Sequence, residues 1–141
     1  TWDSGFPVDF RFHRTPAASG DWYTGSRLTG GGKWLATNST NAEANIAGAD
    51  DDSNEGFGTG HDSSFQAWMW KRGAGLDVVT YTGTSASTRL VRHSGLGGVP
   101  EMIWIKNRES SVDWVCCPRK YGSLTNPSRR WMVWRWTGSC R

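Results

Sequence analysis

Cysteine is scarce and late in this 141-residue chain: Cys116, Cys117 and Cys140 are the only three. An odd count with two adjacent members is not a disulfide scaffold, because neighbouring cysteines cannot close an unstrained bridge with each other. Reduced thiols are expected, with a single bridge from Cys116 or Cys117 to Cys140 as the alternative. No run of 18 apolar residues occurs, so nothing is expected to insert into a membrane. The charged-then-apolar layout of a secretory signal is missing as well. The chain begins at Thr1 without a Met, as expected of a fragment or a processed product. Acidic residues run out at Asp113, and beyond it Arg119, Lys120, Arg129, Arg130, Arg135 and Arg141 leave the tail wholly basic and the remainder net acidic. A split of this kind fits a polyanion-binding tail. His13, His61 and His93 are far apart, and none shares a metal-ligand spacing with a cysteine. The Gly-x-Ser-x-Gly elbow of serine hydrolases is also lacking. No cofactor is expected.

What the chain has in excess is glycine, at 18, and tryptophan, at 10. Many glycines with few long apolar runs suit a turn-rich all-β protein. The length allows one domain, or one complete small module and part of a second, with a real core. Residues 65–83 carry the clearest pattern. Phe65, Ala67 and Met69 alternate with Gln66, Trp68 and Trp70, the period of a strand. Two glycines, Gly73 and Gly75, then break the pattern, and Val78, Thr80 and Thr82 resume it on a second expected strand. Both faces of the first of these strands are apolar, which predicts a central place in a sandwich, with Trp68 and Trp70 in its core. Residues 5–14 form another expected strand, with Val8, Phe10 and Phe12 on the core side and Asp9, Arg11 and His13 facing out. Shorter strands are expected at 21–24, 33–37 and 88–93, and a polar surface loop at 48–60.

The pattern then starts again. Residues 98–108 repeat 5–14: Gly, an apolar residue, Pro, a nearby acid, an alternating strand and a closing Arg. A polar loop and Asp-Trp follow each, at Asp21-Trp22 and at Asp113-Trp114. Pro7 to Pro100 is an offset of 93 and Trp22 to Trp114 an offset of 92, so two separated landmarks agree within one residue. A tandem repeat is therefore predicted, with 1–83 as the first module and 84–141 as the start of a second that ends in an atypical Trp/Cys/Arg tail at 115–141.

In these motifs the chain resembles a family of tandem β-modules in tail-fibre and tail-spike proteins of marine and other bacteriophages. The likeness rests on 5–14, Asp21-Trp22, 35–43, 65–83 and 99–108, and departs after Trp114, where the tail holds all three Cys, three of the ten Trp and no acid. A frame-shifted end and a functional basic tail are both open there. The resemblance implies an all-β, antiparallel, β-sandwich-like fold. It implies a non-enzymatic structural or receptor-recognition module of a virion tail, made in the host cytoplasm, with bacterial surface glycan or a protein receptor and other tail proteins as partners, and a homotrimer by analogy. It brings no catalytic residues.

Aromatic rings beside glycine turns are where a sugar platform is expected, with neighbouring charged groups to fix hydroxyls. The candidates are Trp22, Tyr23, Trp34, Arg27 and Asp21. The acidic stretch at 50–56 offers only weak cation ligands in Asp50, Asp52 and Asn54, since no EF-hand register fits it. Among enzymes the alternative is a fragment of a polysaccharide-degrading spike, using two of Asp9, Asp21, Asp77, Glu101 and Asp113. A further alternative is nucleic-acid or other polyanion binding by the Arg/Trp-interleaved tail at 129–136, which no nucleic-acid fold motif accompanies.

Overall fold

Strand formation follows the period-two segments. The computed structural model describes residues 2–46, 53–58, 64–84, 90–93 and 95–118. Among these residues nine strands succeed one another: β1 Trp2–Asp3, β2 Phe10–Arg14, β3 Tyr23–Ser26, β4 Lys33–Ala36, β5 Ala44–Asn45, β6 Gly56–Phe57, β7 Gln66–Trp70, β8 Met102–Ile105 and β9 Val115–Pro118. All pairings are antiparallel, and no α-helix occurs among the described residues. The chain is an all-β, sandwich-like protein. A five-stranded sheet runs β5-β4-β3-β2-β7, beside two-stranded ladders β1-β6 and β8-β9. No helix is long and apolar enough to cross a membrane among the described residues.

The sheet is inside out relative to the sequence expectation. On β2 the side chains of Arg11 and His13 are buried and Phe10 and Phe12 half-buried, while just before the strand both Val8 and Asp9 are buried. The cause lies in β6. Phe57 is 1% exposed, and its ring is 5.0 Å from the Arg11 guanidinium and 6.0 Å from the His13 ring. The buried cation thus has an aromatic face, worth about 2 kcal/mol when desolvated. Arg11 Nη1 also donates to His13 Nδ1 at 3.1 Å, and Nη2 to the Lys33 carbonyl at 3.4 Å. A guanidinium only donates, so Nδ1 of His13 is the acceptor. The 48–60 stretch is therefore more than a surface loop: its described part supplies the most deeply buried aromatic ring.

Two glycines make this packing possible. At Gly25, opposite Arg11 in the β2–β3 register, an added methyl would lie 2.7 Å from Arg11 Nη2, so the guanidinium crosses the sheet where β3 has no side chain. At Gly56 an added methyl would collide with the Trp2 carbonyl oxygen, and backbone cannot yield as a side-chain tip can. Gly56 is what lets β1 pair with β6 and set Phe57 over the sheet, where Trp2 packs beside it at 5.7 Å.

Other expectations are corrected here. The β7 strand is at the edge of the sheet, not its centre, and Trp70 is 38% exposed. Residues 77–84 form no strand; the turn after β7 closes with a single Gly73–Leu76 bridge, and the Asp77 carboxylate then accepts from the N–H groups of Val78 and Gly95. Those side-chain bonds replace ladder bonds. Residues 90–93 form no strand either, and 88–89 lie outside the described residues.

The β8–β9 ladder shares its register with the β2–β3 ladder at a constant offset. Adding 92 to every residue of the β2–β3 register gives the β8–β9 register: Phe10 opposite Ser26 becomes Met102 opposite Pro118, and His13 opposite Tyr23 becomes Ile105 opposite Val115. The inward positions Arg11 and His13 become Ile103 and Ile105, both half-buried. The outward positions Phe10 and Phe12 become Met102 and Trp104, both exposed. The prolines differ by one because two residues separate Pro7 from β2 and one separates Pro100 from β8.

Candidate functional site

The half-open face of the five-stranded sheet is aromatic. Phe12 stacks on Trp22 with centroids 4.7 Å apart and planes 17° apart. Trp68 meets Phe12 at 6.3 Å and Trp22 at 5.5 Å, and Phe10 meets Trp70 at 5.7 Å. The registers dictate this, because Phe10 is opposite Trp70 and Phe12 opposite Trp68 on antiparallel strands. The Arg14 guanidinium lies 4.8 Å from the Trp22 ring centre and is held by the Thr15 and Ala18 carbonyls. A row of rings with a cation at one end results, and Trp70 is its open member.

The five sequence candidates do not form one site. Asp21 and Trp22 lie just before β3 and are tied to Asn38: its amide donates to Asp21 Oδ1 at 3.0 Å, and its carbonyl oxygen accepts from the Trp22 N–H at 3.0 Å. Asn38 is thus a side-chain cap within its turn. Tyr23 packs edge-on against Trp34 at 4.8 Å and 83°, on the opposite face of the sheet from Trp22. Arg27 stands at the far end of β3. There the Ser26 hydroxyl accepts from Leu28 N–H and starts the 3₁₀ turn Arg27–Thr29. That turn aims Arg27 back at Ser53 and toward Asp9, with Nε 3.9 Å from Asp9 Oδ1. Trp22 and Trp34 are both half-buried with engaged rings, and among the tryptophans of the five-stranded sheet Trp70 is the exposed one. Edge position is what the sequence did not reveal about Trp70, since the same alternation is written by edge and central strands.

The carboxylates have structural partners. Asp9 accepts from the Arg72 N–H at 2.8 Å and from Arg72 Nε at 3.2 Å, fastening β2 to the turn after β7. Asp21 is bound to Asn38, and Asp77 to Val78 and Gly95. Of the weak cation ligands, Asp50 and Asp52 lie outside the described residues, and Asn54 is exposed. Among the described residues no group of three His, Cys, Asp or Glu side chains is placed to hold a metal ion. Cys116 and Cys117 are in β9, whereas Cys140 and the tail at 119–141 lie outside the described residues.

A feature the sequence did not announce joins the second hairpin to the first sheet. Arg108 grips Glu43 through two bonds, Nε–Oε2 at 2.6 Å and Nη2–Oε1 at 2.9 Å, and Nη2 also donates to the Thr29 carbonyl. Glu43 N–H returns a bond to the Arg108 carbonyl at 2.8 Å. The Glu43 hydrogen bond, ahead of the cost of burial, raises the Arg108 pKa above its ordinary value. Beside it Lys106 Nζ donates to the carbonyls of Thr40, Asn107 and Ser110, and the Trp114 indole N–H to that of Ala36. Burial lowers the Lys106 pKa, and Asp113 opposes that shift. These contacts link 106–114, the loop of the second hairpin, to the edge β4–β5 and the turn at 37–43. The closing Arg and the Ala-Glu turn are both legible in the sequence; only their pairing, 65 residues apart, is not.

Fold and site thus define an all-β protein with a repeated hairpin, an aromatic sheet face and an ionic clamp between the hairpin units. No family model matches the chain, and no curated protein or solved structure does either.

Proposed function

We propose that this chain is a non-enzymatic recognition module of a bacteriophage tail fibre, and that it binds host-surface glycan through the aromatic face of its five-stranded sheet. The observation that carries this reading is the row Phe10, Phe12, Trp22, Trp68 and Trp70 with Arg14 at its end and Trp70 open to solvent. The negative face of an indole attracts the C–H-rich face of a pyranose ring. Polar groups at the rim of the row, Arg14 and the exposed Gln66, supply donors for hydroxyls or acidic sugars. The strand β2 beneath it is fastened by Asp9 to Arg72 in the turn after β7, so little ordering entropy opposes binding. Binding is favoured over hydrolysis because Asp9, Asp21 and Asp77 each hold the backbone or a neighbouring side chain in place.

The test is binding of the full chain to a panel of immobilised bacterial lipopolysaccharides and capsular polysaccharides. Trp70→Ala is expected to weaken binding about tenfold while leaving the fold intact, because that ring is at an open edge. Failure to bind every member of the panel, or equal affinity of the variant, contradicts the reading. Release of oligosaccharides from any member overturns its non-enzymatic part.

A further inference from the structure

Strand β2 has a partner on each side, β3 on one and β7 on the other. Strand β8, its counterpart, pairs with β9 alone among the described residues. Since β8–β9 copies β2–β3 residue for residue, the remaining edge of β8 corresponds to the edge of β2 that β7 occupies. The side chains agree. Phe10 and Phe12 are covered by Trp70 and Trp68, whereas their counterparts Met102 and Trp104 are 56% and 50% exposed. No Pro or charged residue interrupts Met102–Ile105, so the strand lacks the usual protection of an open edge.

We propose that the edge of β8 that no described strand occupies is an acceptor for an antiparallel strand of the β7 type, Gln-x-Trp-x-Trp-Lys, supplied by another polypeptide. The occupant follows from the pairing already present in the molecule. In the β2–β7 register Arg14 is opposite Gln66, Phe12 opposite Trp68 and Phe10 opposite Trp70, which brings Asp9 to Lys71 and the Arg72 that it binds. Shifted by 92, the same register sets Lys106 opposite Gln, Trp104 and Met102 opposite the two Trp, and Glu101 opposite Lys-Arg. Glu101 is exposed, so its charge is available to that basic end. Main-chain hydrogen bonds supply affinity in such strand addition, and the alternate side chains supply specificity. The glycan reading is not needed for this proposal, since β8 is in a different sheet.

The probe is a ten-residue peptide with the sequence of residues 64–73, titrated into the isotopically labelled full chain, with amide chemical shifts and hydrogen exchange as readouts. Saturable binding is expected, with slowed exchange confined to residues 101–106. Glu101→Lys is expected to weaken it about two- to fivefold, and a peptide with both basic residues changed to Glu to bind that variant better than it binds the unchanged chain. Absence of binding, protection located only at other strands, or indifference to Glu101→Lys overturns the proposal. A scrambled peptide that binds equally well overturns it too.

Discussion

Phe57→Ala lowers the unfolding free energy by about 3–5 kcal/mol, the range for truncating a fully buried phenylalanine. The ring is the deepest aromatic side chain described and the lid over the polar side of the sheet. Its loss removes more than apolar contact. The Arg11 guanidinium 5.0 Å away loses its aromatic face while remaining under the sheet, and the His13 ring loses a neighbour at 6.0 Å. A buried cation with a thinned environment adds to the cavity term. Urea denaturation of the full chain measures the loss. Phe10→Ala, on the half-open face of the same strand, serves as the comparison and is expected to cost clearly less. Equal losses at the two positions would mean that the sheet has no preferred interior.

Arg108→Ala frees the second hairpin from the first sheet. The guanidinium makes two bonds to Glu43 and one to the Thr29 carbonyl, and charged hydrogen bonds are worth about 1.5–3 kcal/mol each before solvent exposure is considered. The Arg108 side chain is 38% exposed, so a net cost of about 1.5 kcal/mol is expected. That corresponds to roughly tenfold faster amide exchange at 106–114. Exchange in β2, β3 and β7 should hardly change, because none of these strands touches the pair. Exchanging the charges, with Glu43→Arg and Arg108→Glu together, should recover part of the loss where each single change does not. Uniformly faster exchange through the whole sheet would show instead that the pair supports the first module rather than the junction.

The strands β2 and β7 were legible in the sequence, and the sidedness of the sheet was not. Alternation in 10–14 and 66–70 marked β2 and β7 because side chains on a strand point to opposite faces regardless of context. Which face turns inward depended on a residue more than 40 positions away, Phe57, in a stretch whose acids and glycines read as surface. Arg11 and His13 are polar, and the ring above them, the missing side chain at Gly25 and the hydrogen bonds of Arg11 to His13 and the Lys33 carbonyl favour their burial. The repeat was visible because Asp-Trp recurs, but the constant offset of the strands became visible only through pairing partners. Of the candidate site, the tryptophans themselves were legible, and their exposure was not. Glycine turns drew attention to Trp22 and Trp34, while strand order, which the sequence does not encode locally, put the open ring at Trp70. The clamp escaped for the same reason: Glu43 and Arg108 meet only after the second hairpin docks.

Hydroxyl-radical footprinting of the full chain, read by mass spectrometry, tests the sidedness of the sheet most directly, and with it the placement of the aromatic face. The predicted result is fast oxidation of Trp70, Met102 and Trp104, with Phe57 and His13 protected until the chain is unfolded. Modification of Phe57 and His13 at the rate of Trp70 under native conditions would contradict it.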